Sequence, residues 1–294
     1  MARSRRAKRG RGRSRGTTHH RPGGTRAEGG AGRRPPDPPA AAPRIAIVDW
    51  LRGAALVGMT VFHFAYDLEF FGIEARGYAD QPHWRHLATT VAGSFLFFAG
   101  ASLVLAHPRD IRWPRWGRRL ATVALAALAI SVVTWFVTPK SWIFFGILHM
   151  IAVASVVGLA FVRAPWWGPA VAAVAVLAID RAVHGALPDA TAWYWIGLSS
   201  DTPVTSDFRP VFPWLAPVLL GVAAAKWCAR GGLLEVLARP RLDGRAGRLL
   251  RFIGRNSLVY YLLHQPVLFA LFWAWLRLPG PQPRNPPCAP IAVV

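Results

Sequence analysis

The chain has little negative charge. Asp and Glu number 14 in 294 residues, against 35 Lys and Arg, for a formal net charge of +21. Such a balance invites a nucleic-acid reading. However, the basic excess is confined to the first 43 residues and to short segments between apolar runs, which argues against nucleic acid as a partner. Cysteine is nearly absent: Cys228 and Cys288 lie far apart with no C-x-x-C spacing, so neither a disulfide framework nor a zinc site is expected. There is no Gly-rich phosphate loop, no G-x-S-x-G and no other metal-ligand motif. Hydrophobic residues make up 53% of the chain, with 14 Trp, and several apolar runs approach the roughly 20 residues that cross a bilayer.

These runs predict an all-α polytopic membrane bundle of about seven transmembrane helices, at about 45–66, 88–106, 119–137, 142–161, 167–181, 211–227 and 256–276. Residues 1–43 are Arg, Gly, Pro and Ala with almost no large apolar side chain, and are expected to form a disordered cytoplasmic tail. They contain no apolar core ahead of a small-residue cleavage site, so a cleaved signal peptide is not expected. The membrane domain is expected over 44–278, with a flexible Pro-rich tail over 279–294. Segments 67–87, 107–119, 182–210 and 226–255 read as loops.

Lys and Arg are distributed unevenly across the bundle. Residues 1–44, 107–119, Arg163 and 226–255 hold 27 of the 35, the opposite segments hold 7, and Arg52 lies within the first span. The positive-inside rule then places the amino terminus in the cytoplasm and the carboxyl terminus outside, in a plasma membrane.

The first span is unusual. Asp49, Arg52, His63 and Asp67 interrupt it. At about 100° per residue they share an arc of about 60°, and at about 1.5 Å per residue the stripe is about 27 Å long. Ionisable groups in hydrocarbon are expensive and should face protein or a water-filled cavity, which makes the stripe a functional-site candidate.

Each candidate has a structural alternative. His63 and Asp67, at i and i+4, could form an oriented base, or a helix-joining hydrogen bond. Asp49 and Arg52 could engage a phosphate-bearing cosubstrate, or form an ion pair at the membrane boundary. His149 and His264 could line a cavity or serve packing. Gln265 and Pro266 follow His264, where proline frees backbone carbonyls. Asp207 and Arg209 precede the sixth span and either cap it or line a pocket, and His83 lies in the loop near the stripe's outer end.

Several stretches, taken together, resemble a known family. They are Arg44-x4-Asp49-x2-Arg52-Gly53, Met59-x3-His63-Phe-x2-Asp67-Leu68, Phe-Leu-Phe-Phe-Ala-Gly100-x-Ser102 and Phe145-Gly146-Ile-Leu-His149-Met150. Two more are Asp207-Phe-x-Pro210-x-Phe-Pro213-Trp214 and Asn256-Ser257-Leu-x-x-Tyr-x-x-His264-Gln265-Pro266. The pattern, over roughly 44–276, is similar to the bacterial branch of the heparan-alpha-glucosaminide N-acetyltransferase catalytic-domain family.

The resemblance implies a transmembrane acyltransferase. Acetyl-CoA would be the cytosolic cosubstrate and an extracytoplasmic sugar amine or hydroxyl on a cell-envelope glycan the acceptor, with membrane lipid around it. His63 with Asp67 would be the catalytic pair and Asp49 with Arg52 the CoA side. His149, Asp207, His264, Gln265 and His83 would lie on the acceptor side. Eukaryotic members carry Asn at the position of His63 and a catalytic His in the following loop, near Tyr78 to His86, which is why His83 stands as the second choice. No metal is expected, and a homo-oligomer is left open. A multi-pass transporter using the stripe as a polar conduit is the alternative function, although no inverted repeat is evident. A purely structural membrane partner is the third reading.

Overall fold

The computed structural model describes residues 45–108, 110–238 and 244–278. The expected tails 1–43 and 279–294 lie outside these. Among the described residues ten α-helices follow one another: α1 (Ala46–Phe70), α2 (Pro82–Ala106), α3 (Trp113–Val137), α4 (Ile147–Phe161), α5 (Trp167–Val183), α6 (Thr191–Tyr194), α7 (Val211–Arg230), α8 (Leu233–Ala238), α9 (Arg245–Arg255) and α10 (Ser257–Leu276). No strand occurs among the described residues beyond a bridge between Leu187 and Ser199. Among the described residues five helices, α1, α2, α3, α7 and α10, are long and apolar enough to cross a membrane.

The expected seven spans differ from this in three places. The fourth begins at Ile147 rather than 142, which leaves α4 only 15 residues long. Trp142 and Gly146 have extended backbone instead. Several backbone groups of residues 141–146 find partners outside α4. Thr134 Oγ1 accepts from the Ile143 amide, Ser131 Oγ donates to the Ile143 carbonyl, and Thr205 Oγ1 donates to the Trp142 carbonyl. The amides of Ser206 and Arg209 donate to the carbonyls of Ser141 and Phe145. Irregular backbone at membrane depth needs such internal partners. The fifth span, α5, is 17 residues long. Finally, the supposed loop 67–87 is helical at both ends: α1 runs on to Phe70 and α2 starts at Pro82, with Pro at the first turn where its missing N–H does no harm.

Glu69 explains why α1 runs past Asp67. It is 2% exposed and its two carboxylate oxygens accept from the amides of Gly77 and Ala79, at 2.8 and 2.9 Å. A residue expected in a solvated loop instead pins the following turn to the helix end. The supposed basic loop 226–255 likewise contains α8 and the amphipathic α9.

Two interfaces bring backbones together through glycine. A Cβ on Gly53 of α1 would sit 2.0 Å from the Leu250 carbonyl oxygen of α9, and one on Gly254 would sit 1.8 Å from the Asp49 carbonyl oxygen. In the same way, α2 and α7 meet at Gly100 against Val218 and Gly221 against Phe97, at 2.1 and 2.0 Å. Small residues at helix crossings allow this close approach. The main core lies among α2, α3, α4, α5 and α7, around the fully buried Leu96, Met150 and Leu219.

Helices α1 and α10 run in the same direction: Thr60 meets Tyr260, His63 meets His264, and Phe64 meets Phe272. The starts of α1 and α10, with α9 and the end of α2, form the basic end of the bundle. The end of α1, the start of α4 and segment 184–210 form the far end. In that segment Asp189 accepts from Ser200 Oγ and from the Asp201 amide. These bonds hold its carboxyl below the usual carboxylate range.

Candidate functional site

The stripe on α1 divides between two clusters. At the basic end, Arg52 donates to Asp49 at 3.4 Å, to the Gly254 carbonyl at 3.3 Å and to Ser102 Oγ at 2.5 Å. Ser102 spends its own proton on the Phe98 carbonyl, so it can accept from Arg52. One guanidinium therefore ties together α1, α2 and α9. Asp49 also pairs with Arg255, at 3.5 Å, whose side chain is half exposed. Arg119, at the start of α3, lies within electrostatic reach of Arg52.

At the far end, Asp67 is fully buried and does not hydrogen-bond to His63. The expected i, i+4 pair is not formed. Asp67 Oδ1 instead accepts from Gln265 Nε2 on α10, at 2.7 Å. The nearest ring to His63 across the interface is His264, with centroids 4.9 Å apart. Tyr260 stacks parallel to His264, and its hydroxyl reaches Thr60 Oγ1 at 2.8 Å. Thr60 uses its proton on the Leu56 carbonyl, so Tyr260 is the donor.

Hydrogen-bond partners fix two imidazole tautomers. His264 Nδ1 lies 2.6 Å from the Tyr261 carbonyl, which can only accept, so Nδ1 carries the proton. In the neutral ring Nε2 is then a bare acceptor, and it is buried without a protein partner. His63 Nδ1, Asp67 Oδ2 and Gln265 Oε1 are likewise buried and unpartnered. Four such atoms on adjacent turns of two helices are unusual, because buried polar atoms nearly always find partners.

His149 has the opposite character. The Gly146 amide donates to its Nδ1, at 3.2 Å, so Nε2 holds the proton and faces Ser131 Oγ at 3.2 Å. Ser131 has given its proton to the Ile143 carbonyl and accepts. Both nitrogens thus serve the extended segment before α4. Asp207 acts there too: Oδ2 accepts from the Ile147 amide at 2.8 Å, capping α4 from a distant part of the chain, and from the Tyr261 hydroxyl at 3.5 Å. Arg209 is buried, lies 4.8 Å over the Trp214 ring and donates to the Phe208 carbonyl. His83 is exposed, and its ring lies tilted against Trp84 at 4.9 Å.

Of the predicted site residues, His63, Asp67, His264 and Gln265 therefore come together, and Asp49 with Arg52 form the other cluster. His149 and Asp207 brace the broken helix. The sequence analysis gave no site role to Tyr260, Ser131 and Arg255, nor to Ser102 and Tyr261, which stand within the motifs of the family resemblance. Tyr260 sits four residues before His264, a spacing that puts both on one helix face and was there to be read. No group of His, Cys, Asp or Glu suited to holding a metal occurs among the described residues.

The model of the heparan-alpha-glucosaminide N-acetyltransferase catalytic family matches residues 44–266. The chain belongs to this family. The match covers both polar clusters and every helix from α1 to the middle of α10, ending at the proline after Gln265. No curated protein and no solved structure matches the chain. Membership and five helices of spanning length make this a multi-pass membrane protein of an acetyltransferase family.

Proposed function

We propose that the protein transfers an acetyl group from cytosolic acetyl-CoA to an amine or hydroxyl of an extracytoplasmic sugar, with His63 and His264 at the reacting centre. The observation that carries this reading is the tautomer of His264. Its Nε2 is a bare acceptor, buried beside His63, with no protein hydrogen to take.

In the reaction the acceptor nitrogen attacks the thioester carbonyl carbon. His264 Nε2 or His63 receives the proton that the nitrogen sheds, the new C–N bond forms, the C–S bond breaks, and CoA leaves as the thiol after gaining a proton. An amine or hydroxyl proton matches what the unpartnered acceptors lack. The Asp67–Gln265 hydrogen bond joins α1 to α10 next to the two rings and holds their separation. Asp49, Arg52 and Arg255 serve the CoA side, where guanidinium groups suit phosphate oxygens. Arg52 lies eleven residues before His63, about 17 Å along α1, so a long cosubstrate must lie along the helix with its phosphates at the basic end. The basic end then faces the cytoplasm of the cell membrane, as the Lys and Arg distribution indicates.

Equilibrium binding of acetyl-CoA to the detergent-purified protein, beside Arg52→Ala and Arg255→Ala, tests this reading. Saturable binding that weakens in both variants supports it. Absence of binding by the folded wild-type protein overturns it.

A further inference from the structure

Arg209 stands just before α7 with its backbone and its side chain both held. Its amide donates to the Phe145 carbonyl at 3.2 Å, its Nη1 donates to the Phe208 carbonyl at 2.6 Å, and its guanidinium lies 4.8 Å over the Trp214 ring. The residue is only 9% exposed. Its Nε is buried without a hydrogen-bond partner, and among the described residues no carboxylate lies within ion-pair distance of it. Asp207, two residues earlier, directs Oδ2 to the Ile147 amide and the Tyr261 hydroxyl instead. A buried guanidinium without a carboxylate is costly. Fixed on rigid partners, it is preorganised for negative charge that arrives with a ligand or forms during a reaction.

The charge lies beside the histidine pair. Ring contacts lead from His63 to His264 at 4.9 Å and from His264 to Tyr261 at 5.7 Å, and the Tyr261 hydroxyl reaches Asp207 at 3.5 Å. The Arg209 guanidinium is within electrostatic reach of both Tyr261 and His63. A neutral amine or hydroxyl brings no anion to this place. Attack on a thioester creates one, on the carbonyl oxygen.

We propose that the Arg209 guanidinium binds the carbonyl oxygen of the acetyl thioester and stabilises the negative charge which that oxygen carries in the tetrahedral intermediate. This rests on the transferase reading. The acceptor's lone pair adds to the carbonyl carbon, and the C=O π pair moves onto oxygen beside Arg209 while an imidazole takes the acceptor's proton. On collapse that pair re-forms C=O, the C–S bond breaks, and the sulfur leaves with the bonding pair and receives the proton from the imidazolium. Without the oxyanion, a guanidinium and an imidazolium would face each other in a buried site. The charge formed in the same step balances them.

The test uses the full-length protein in detergent with acetyl-CoA and glucosamine. CoA thiol release, acetyl-CoA binding and thermal unfolding are measured for wild type, Arg209→Gln and Arg209→Lys. Arg209→Gln should lower kcat about 10²–10³-fold, the usual effect of losing one oxyanion donor. Its acetyl-CoA affinity and glucosamine KM should stay within about threefold of wild type, because the interaction strengthens only in the transition state. Arg209→Lys keeps the charge without the planar donors and should recover about tenfold of that loss. Unchanged kcat in Arg209→Gln overturns the proposal. So does a raised glucosamine KM at unchanged kcat, which makes Arg209 an acceptor-binding residue. Equal losses in both variants with lowered unfolding midpoints show a structural role and overturn it too.

A second readout needs neither turnover nor a variant. Acetyl-CoA carrying a heavy isotope at the thioester carbonyl is bound to wild type without acceptor, and the carbonyl stretch is followed by infrared difference spectroscopy. It should move to lower frequency on binding, because a guanidinium donor polarises the bond; an unshifted stretch overturns the proposal even where Arg209→Gln fails to fold. Wild type that binds no acetyl-CoA removes the transferase reading itself. Wild type that binds and turns over, with Arg209→Gln fully active, removes only the role of Arg209.

Discussion

Gln265 Nε2 donates to Asp67 Oδ1 at 2.7 Å, joining the last turn of α1 to the middle of α10 through residues 198 apart in sequence. Asp67 is fully buried, so this amide is the donor that makes its carboxylate tolerable there. Gln265→Leu should remove the donor, leave the carboxylate buried without a partner, and destabilise the protein by about 1–3 kcal/mol. Asp67→Asn keeps an acceptor for the same amide and should unfold close to wild type. Thermal unfolding of the three proteins in one detergent checks this; equal losses in both variants contradict it.

The glycine contacts predict a contrast within one residue type. Gly254→Ala forces a methyl against the Asp49 carbonyl and Gly221→Ala against that of Phe97, contacts in which backbone must move. Each should cost about 1–3 kcal/mol, the usual range for overpacking. Gly93, within α2, has nothing within 4 Å of an added Cβ, and Gly93→Ala should be neutral or stabilise by about 0.5–1 kcal/mol. Midpoints of thermal unfolding rank the three directly.

His149 and Asp207 should affect folding rather than turnover. Both nitrogens of His149 are occupied by Gly146 and Ser131, and Asp207 caps α4 through the Ile147 amide. Asp207→Ala should cost about 0.5–2 kcal/mol, as removal of a helix cap does. At a temperature where His149→Gln is fully folded, its kcat should stay within about threefold of wild type, since a base with no free nitrogen contributes little proton transfer. A thousandfold fall in kcat with an unchanged unfolding midpoint makes His149 catalytic instead.

The helix order and the polar stripe were legible in the sequence because both follow from periodicity. Apolar runs mark the helices, and four ionisable residues on one face mark the side turned to protein. Partner choice was not legible. Asp67 stands one turn from His63, yet its bond goes to Gln265, because the packing of α1 on α10 brings that amide closer than a backbone spacing can reveal. The fourth span was overextended because Trp142, Ile143, Phe144 and Phe145 read as apolar helix. What unwinds them is a set of hydroxyls, on Ser131, Thr134 and Thr205, that supply backbone partners from two other segments. Glu69 was misplaced for a similar reason: its ligands are amides eight and ten residues ahead.

The histidine pair carries the central claim. Release of CoA thiol from acetyl-CoA by the purified protein, with and without an amino-sugar acceptor, measures it most directly when His63→Ala and His264→Gln are run beside wild type. Acceptor-dependent release by wild type is expected, falling about 10²–10⁴-fold in at least one variant while acetyl-CoA binding persists, the range typical of losing a general base. Wild-type release rates retained in both variants would show that the chemistry lies elsewhere and contradict the assignment of the two histidines.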